Sequence, residues 1–147
     1  MTDDAQVAKE LVETLKDGER GFARAAEKVR DSDRATWAAT LQRFSEQRAG
    51  FCREIVELGH EYGDDVDESG SVAAALHRGW ISLKDAVSGD DAGAVLSAAA
   101  TGEDHAVSEY EKALERDLSP GFREVVSRQH VAVLAARDEV KALQSVD

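Results

Sequence analysis

Proline is nearly missing from this chain: Pro120 is the single example among 147 residues. Proline is the strongest helix breaker, so little here interrupts long helices, and 24 alanines, which lose no side-chain entropy on entering a helix, favour helix over strand. Cysteine is equally scarce. Cys52 stands alone, which excludes an internal disulfide and fits a reducing cytoplasm. Positive charge is short too, with 18 Lys and Arg against 30 Asp and Glu, a formal net charge of -12 and a pI near 4.7. Such a chain repels phosphate backbones and anionic lipid, so neither nucleic acid nor a membrane surface is expected as a partner. No apolar run approaches the roughly eighteen residues of a membrane span. The acidic start Met1-Thr2-Asp3-Asp4 has neither the basic nor the apolar region of a signal peptide. A Gly-rich phosphate loop, paired-Cys zinc spacing and a G-x-S-x-G elbow are all missing, so little points to an enzyme.

What remains is enough for a core. With 42% hydrophobic and 33% charged residues, the length and composition fit one soluble domain over residues 1–147. Ala8, Leu11, Leu15, Gly18, Phe22, Ala25 and Val29 recur at alternating steps of three and four, which is one face of a helix from about Thr2 to Arg30. Asp31-Ser32-Asp33 can cap a second, from about Arg34 to Tyr62, with Trp37, Leu41, Phe44, Arg48, Phe51, Ile55 and Leu58 on its seam. The glycine-bracketed acidic stretch 63–70 reads as a loop. Ser71 can then open a shorter helix to about Val87, with Val72, Leu76, Trp80, Leu83 and Val87 on its apolar face. The next stripe is Ala92, Leu96, Ala99, Glu103, Ala106, Tyr110 and Ala113. Leu118-Ser119-Pro120 combines a cap with proline at the first helical position, and opens a last helix through Phe122, Val126, Gln129, Val133, Ala136, Val140 and Leu143. The expected fold is therefore all-α. Four helices of about 40 Å form a bundle. The short helix between helices two and three crosses back along it, leaving those two parallel.

Four seam positions break the apolar pattern: Gly18, Arg48, Glu103 and Gln129. They lie at comparable depths in their helices and can share one mid-bundle layer. A guanidinium needs volume and acceptors; glycine opposite it, a carboxylate beside it and an amide nearby make a complete set. Each charge taken singly also fits ordinary snorkelling to solvent. Their shared depth favours a buried network, with Gln129 completing the donors and acceptors of an Arg48–Glu103 pair.

The runs Asp17-Gly18, Gly21-Phe22 and Ala25-Ala26, then Ser69-Gly70-Ser71 with Leu76-His77-Arg78-Gly79-Trp80 and Leu83-Lys84, then Gly102-Glu103 with Tyr110 and Ala113-Leu114, carry a resemblance. Over nearly its whole length the chain resembles a bacterial family of four-helix-bundle proteins of unknown function, grouped with the ferritin-like proteins. That resemblance implies a ferritin-like bundle. It also implies where a metal site would lie, since ferritin-like centres take a Glu from each of two helices and a Glu-x-x-His pair from each of the others. Gly18 stands at the first carboxylate position, and Arg48 with Phe51 at the second-helix Glu and His positions. Glu103 matches. The residues left for iron are Glu103, His130 and Glu19, which flanks Gly18. An inward arginine repels a cation, so no cofactor is expected, with iron as the alternative.

Other chemistry-bearing residues have plainer readings. Glu57-x-x-His60 has ligand spacing, yet His60 lies about 200° from the seam, as His105 does from Glu103, and both should face solvent. His77 and Arg78 beside Trp80 fit packing or capping, and Cys52 beside Phe51 reads as a small buried hydrophobe. Gly18-x-x-Gly21 makes room in the core. The expected function is a non-enzymatic structural, stress-associated or protein-interaction module in the bacterial cytoplasm; the alternative is a divergent metal-binding protein or oxidoreductase. Ferritin-like bundles pair through outer helix faces, which implies a homodimer with Trp37 and Trp80 as residues for burial there.

Overall fold

The computed structural model describes residues 2–30, 34–61, 80 and 92–144. Its helices are α1 (Asp4–Arg30), α2 (Trp37–Glu61), α3 (Ala92–Leu114) and α4 (Pro120–Gln144), and no strand occurs among the described residues. The ends follow local chemistry. At the start of α1 the Thr2 hydroxyl accepts from Asp4 N–H at 3.4 Å. Helix α2 begins later than the apolar spacing predicts because residues 34–36 turn first, with Trp37 N–H donating to the Arg34 carbonyl at 3.0 Å. At the start of α4 the Ser119 carbonyl accepts from Arg123 N–H at 2.9 Å while its hydroxyl donates to Asp4, and Pro120 takes the first helical position, where its missing N–H has no cost. The capping stretches 31–33 and 88–91, the loop 63–70 and the expected crossover helix 71–87 lie outside the described residues, apart from Trp80.

Buried side chains form two apolar halves. One holds Phe22, Val29, Leu41, Phe44, Trp80, Leu96 and Val140. The other holds Leu11, Leu15, Ile55, Tyr110, Phe122, Val126 and Val133. Helix α1 passes from the second half to the first, and α2 returns. Helix α3 enters at the first half through Ala92 and Val95 and leaves at the second through Tyr110 and Ala113, while α4 runs back. The order is therefore up, down, down, up, with α2 and α3 parallel, and the chain between Glu61 and Ala92 joins opposite ends of the bundle.

One end is fastened by α1. Asp3 N–H donates to the Asp117 carbonyl at 2.7 Å, and the buried Asp4 carboxylate accepts from Ser119 N–H at 2.9 Å and from its hydroxyl at 2.6 Å. Arg123 reaches back to donate to the Leu114 and Arg116 carbonyls at 2.8 and 2.7 Å, which satisfies acceptors that the end of α3 would leave open. These contacts fix the α3–α4 turn against the start of α1, and so fix the depth at which side chains of the three helices meet. No helix among the described residues is long and apolar enough to cross a membrane.

Candidate functional site

Between the two apolar halves lies a charged layer. On α1 it falls at Gly18, between Leu15 and Phe22; on α2 at Arg48, between Phe44 and Cys52; on α3 at Glu103, between Ala100 and Ala106. Arg48 and Glu103 are 1% and 0% exposed, so protein groups must replace the water that either charge has lost. The geometry is bidentate. Arg48 Nη1 donates to Glu103 Oε1 at 2.5 Å and Nη2 to Oε2 at 2.6 Å, while Nε donates to Gln47 Oε1 at 3.1 Å. The flat guanidinium also lies 5.2 Å from the centre of the Phe22 ring, in cation–π range. Gly18 forms the opposite wall: a β-carbon there would stand 3.4 Å from Arg48 Cγ and 3.5 Å from Nη1. A methyl there would meet the arginine side chain in ordinary contact.

Gln129 departs from expectation. It is fully buried on α4, but it belongs to a second polar group one turn nearer the α3–α4 end, among residues of the second apolar half. Its carbonyl accepts from the Tyr110 hydroxyl at 2.7 Å, and its amide donates to Glu54 Oε1 at 2.8 Å and to the Phe51 carbonyl at 3.4 Å. It does not complete the Arg48–Glu103 pair; on α4 that depth falls between Val133 and Ala136. Glu54 then pairs with the exposed Arg128, so this group runs from the buried phenol of Tyr110 to the surface. Burial pushes the Tyr110 phenol well above its usual range, which keeps it a neutral donor.

The residues considered for iron are dispersed. Both Glu103 oxygens accept from Arg48, His130 stacks on Tyr110 with ring centres 6.4 Å apart, and Glu19 is half-buried, its backbone carbonyl accepting from the Ser45 hydroxyl at 2.8 Å. Among the described residues no three His, Cys, Asp or Glu side chains come together as a metal site. His105 corrects a prediction: it is half-buried, and its Nε2 lies out of solvent without a hydrogen-bond partner among the described residues, as does that of His130. The side chain of His60, with His77 and Arg78, lies outside the described residues.

Trp80 also departs from expectation. It is 2% exposed and packed inside its own chain against Gly21, Gly102 and Phe22, so it is not available to an outer dimer face. Trp37 is partly buried against the same half of the core, with the Arg34 guanidinium 5.3 Å from its ring centre.

A helical bundle, with four helices among the described residues and a buried arginine–glutamate pair at mid-length, is the class of protein that this fold and site define. The chain belongs to the family described as Domain of unknown function (DUF2383), whose model matches residues 5–116, from the start of α1 through the end of α3. Comparison with curated proteins finds no match.

Proposed function

We propose that this protein is a bacterial ferritin-like bundle whose centre is closed by an ion pair where its metal-binding counterparts hold iron. On this reading it works in the cytoplasm as a non-enzymatic structural, stress-associated or protein-interaction module. The helix order supports the first part, because ferritin-like folds are bundles with one long crossover. The single observation that carries the second is the bidentate Arg48–Glu103 contact. The layer does not fit a di-iron centre. Gly18 offers no ligand, Arg48 puts a positive charge where a cation would sit, and Glu103 has both oxygens committed. The pair joins α2 to α3, which are next to each other in sequence yet separated by the long connection, and a buried charge pair of this kind penalises any helix register that separates its members.

Elemental analysis after anaerobic iron loading tests this directly. Substoichiometric iron, lost on mild chelation, is the expected result. Two tightly held irons per chain, released by Glu103→Ala, would overturn it in favour of a metal-binding protein or oxidoreductase. Pairing of two copies through outer helix faces belongs to the same reading. Sedimentation should then give a dimer, and a monomer at high micromolar concentration would remove that part.

A further inference from the structure

Trp80 is seated between two helices, against one glycine of each. A β-carbon on Gly21 of α1 would lie 2.3 Å from both Cδ2 and Cε3 of the indole, and one on Gly102 of α3 would lie 2.2 Å from Cε2 and 2.5 Å from Nε1. Carbon atoms prefer separations of about 3.5 to 4.0 Å, so either methyl would overlap the ring deeply. The atoms struck belong to a rigid ring held from both sides. Unlike the end of a flexible side chain, such a ring can only leave, or the helices must part. Glycine inside a helix weakens it, so two glycines facing one ring from two helices need a reason beyond propensity. The ring supplies it. Phe22 packs against the indole, with centroids 4.9 Å apart and planes at 70°, and the Arg48 guanidinium lies over the Phe22 ring as well.

We propose that Gly21 and Gly102, with Phe22, form a preorganised slot for one planar aromatic group. Trp80 of the same chain fills it and is thereby held between α1 and α3. The slot lies one helical turn from Gly18 and directly beside Glu103 in sequence. A slot of this shape selects by flatness. It admits an indole and excludes any side chain added to its own walls.

Two arms test this in the full chain. In Trp37→Phe, Trp80 is the sole tryptophan; its emission should be blue-shifted and poorly quenched by acrylamide. Adding Gly102→Ala should shift the emission to the red and raise quenching several-fold, with helical circular dichroism retained. In the second arm, Trp80→Ala should melt at a lower temperature than the parent. Millimolar indole should raise that temperature while leaving the parent unchanged, and Trp80→Ala with Gly102→Ala should lose the response. Unchanged Trp80 emission in a folded Gly102→Ala protein would overturn the proposal. If Gly102→Ala unfolds the chain, the second arm decides: no indole response in Trp80→Ala, or an equal response in the parent, would also overturn it.

Discussion

Removing one member of the Arg48–Glu103 pair should be far more damaging than removing both. In Arg48→Met the Glu103 carboxylate stays at a site with 0% exposure and loses the two donors at 2.5 and 2.6 Å that replaced its water. In Glu103→Leu the guanidinium keeps, among the described residues, Gln47 at 3.1 Å and the Phe22 face. Stranding a buried charge in this way costs about 3 to 5 kcal/mol. Replacing both residues with apolar side chains of similar volume removes two desolvation penalties along with one attraction, and such replacements are often neutral or stabilising by about 1 to 4 kcal/mol. Urea unfolding reads the difference. With a slope of about 2 kcal/mol/M, each single variant should lose roughly 1.5 to 2.5 M from its midpoint, while the double variant should stay near the parent. The double-mutant cycle should show coupling far above the roughly 0.5 kcal/mol within which independent sites add. Strict additivity would refute the pairing, and with it the main physical objection to a metal at this layer.

Gly18→Ala should be tolerated, because its β-carbon meets Arg48 at ordinary contact distances and alanine is favoured over glycine in helices by about 0.5 to 1 kcal/mol; thermal denaturation would show a melting point unchanged or raised. Tyr110→Phe should cost about 1 to 3 kcal/mol in urea unfolding by leaving the Gln129 carbonyl without its donor. Because the folded-state value of Tyr110 is raised, its contribution is complete below about pH 10 and is lost as pH climbs above that, where the unfolded chain ionises; the fall in stability above about pH 10 should therefore be smaller in Tyr110→Phe than in the parent. Asp4→Ala should cost about 1 to 3 kcal/mol and speed hydrogen exchange in the first turn of α1. Asp3 is held below the usual carboxylate range by the Asp117 N–H and then by Arg116, so its contribution is present above about pH 4 and fades as pH falls through the lowered value; exchange in the first turn of α1 should quicken there, and Asp3→Asn should remove that pH dependence.

Steps of three and four reveal which side of a helix is buried and how far along it a residue sits, and for Gly18, Arg48 and Glu103 those two coordinates were enough. They do not say which turn of a neighbouring helix stands opposite. Gln129 shares the approximate depth, but the clasp of Asp3 and Asp4 on Asp117 and Ser119 sets α4 so that Gln129 faces Tyr110 and Glu54. Glu54 itself is off the apolar seam of α2 and is invisible to a search confined to that seam. The buried polar residues Thr14, Asp17 and Ser45 escape for the same reason. Trp80 was misplaced because its periodicity marks an apolar face without naming the surface that covers it. The signal that would have found its seat is the pair Gly21 and Gly102, small residues on the buried faces of two different helices.

The most direct test of the closed centre is the nitrogen and proton magnetic resonance of the arginine side chains at neutral pH. A guanidinium locked bidentate on Glu103 in a dry core should show one set of Arg48 Nη protons with hindered rotation and exchange many times slower than those of the exposed arginines, and the set should vanish in Glu103→Leu. If every arginine side chain instead exchanges rapidly, or the slow set survives in Glu103→Leu, the ion pair does not close the bundle.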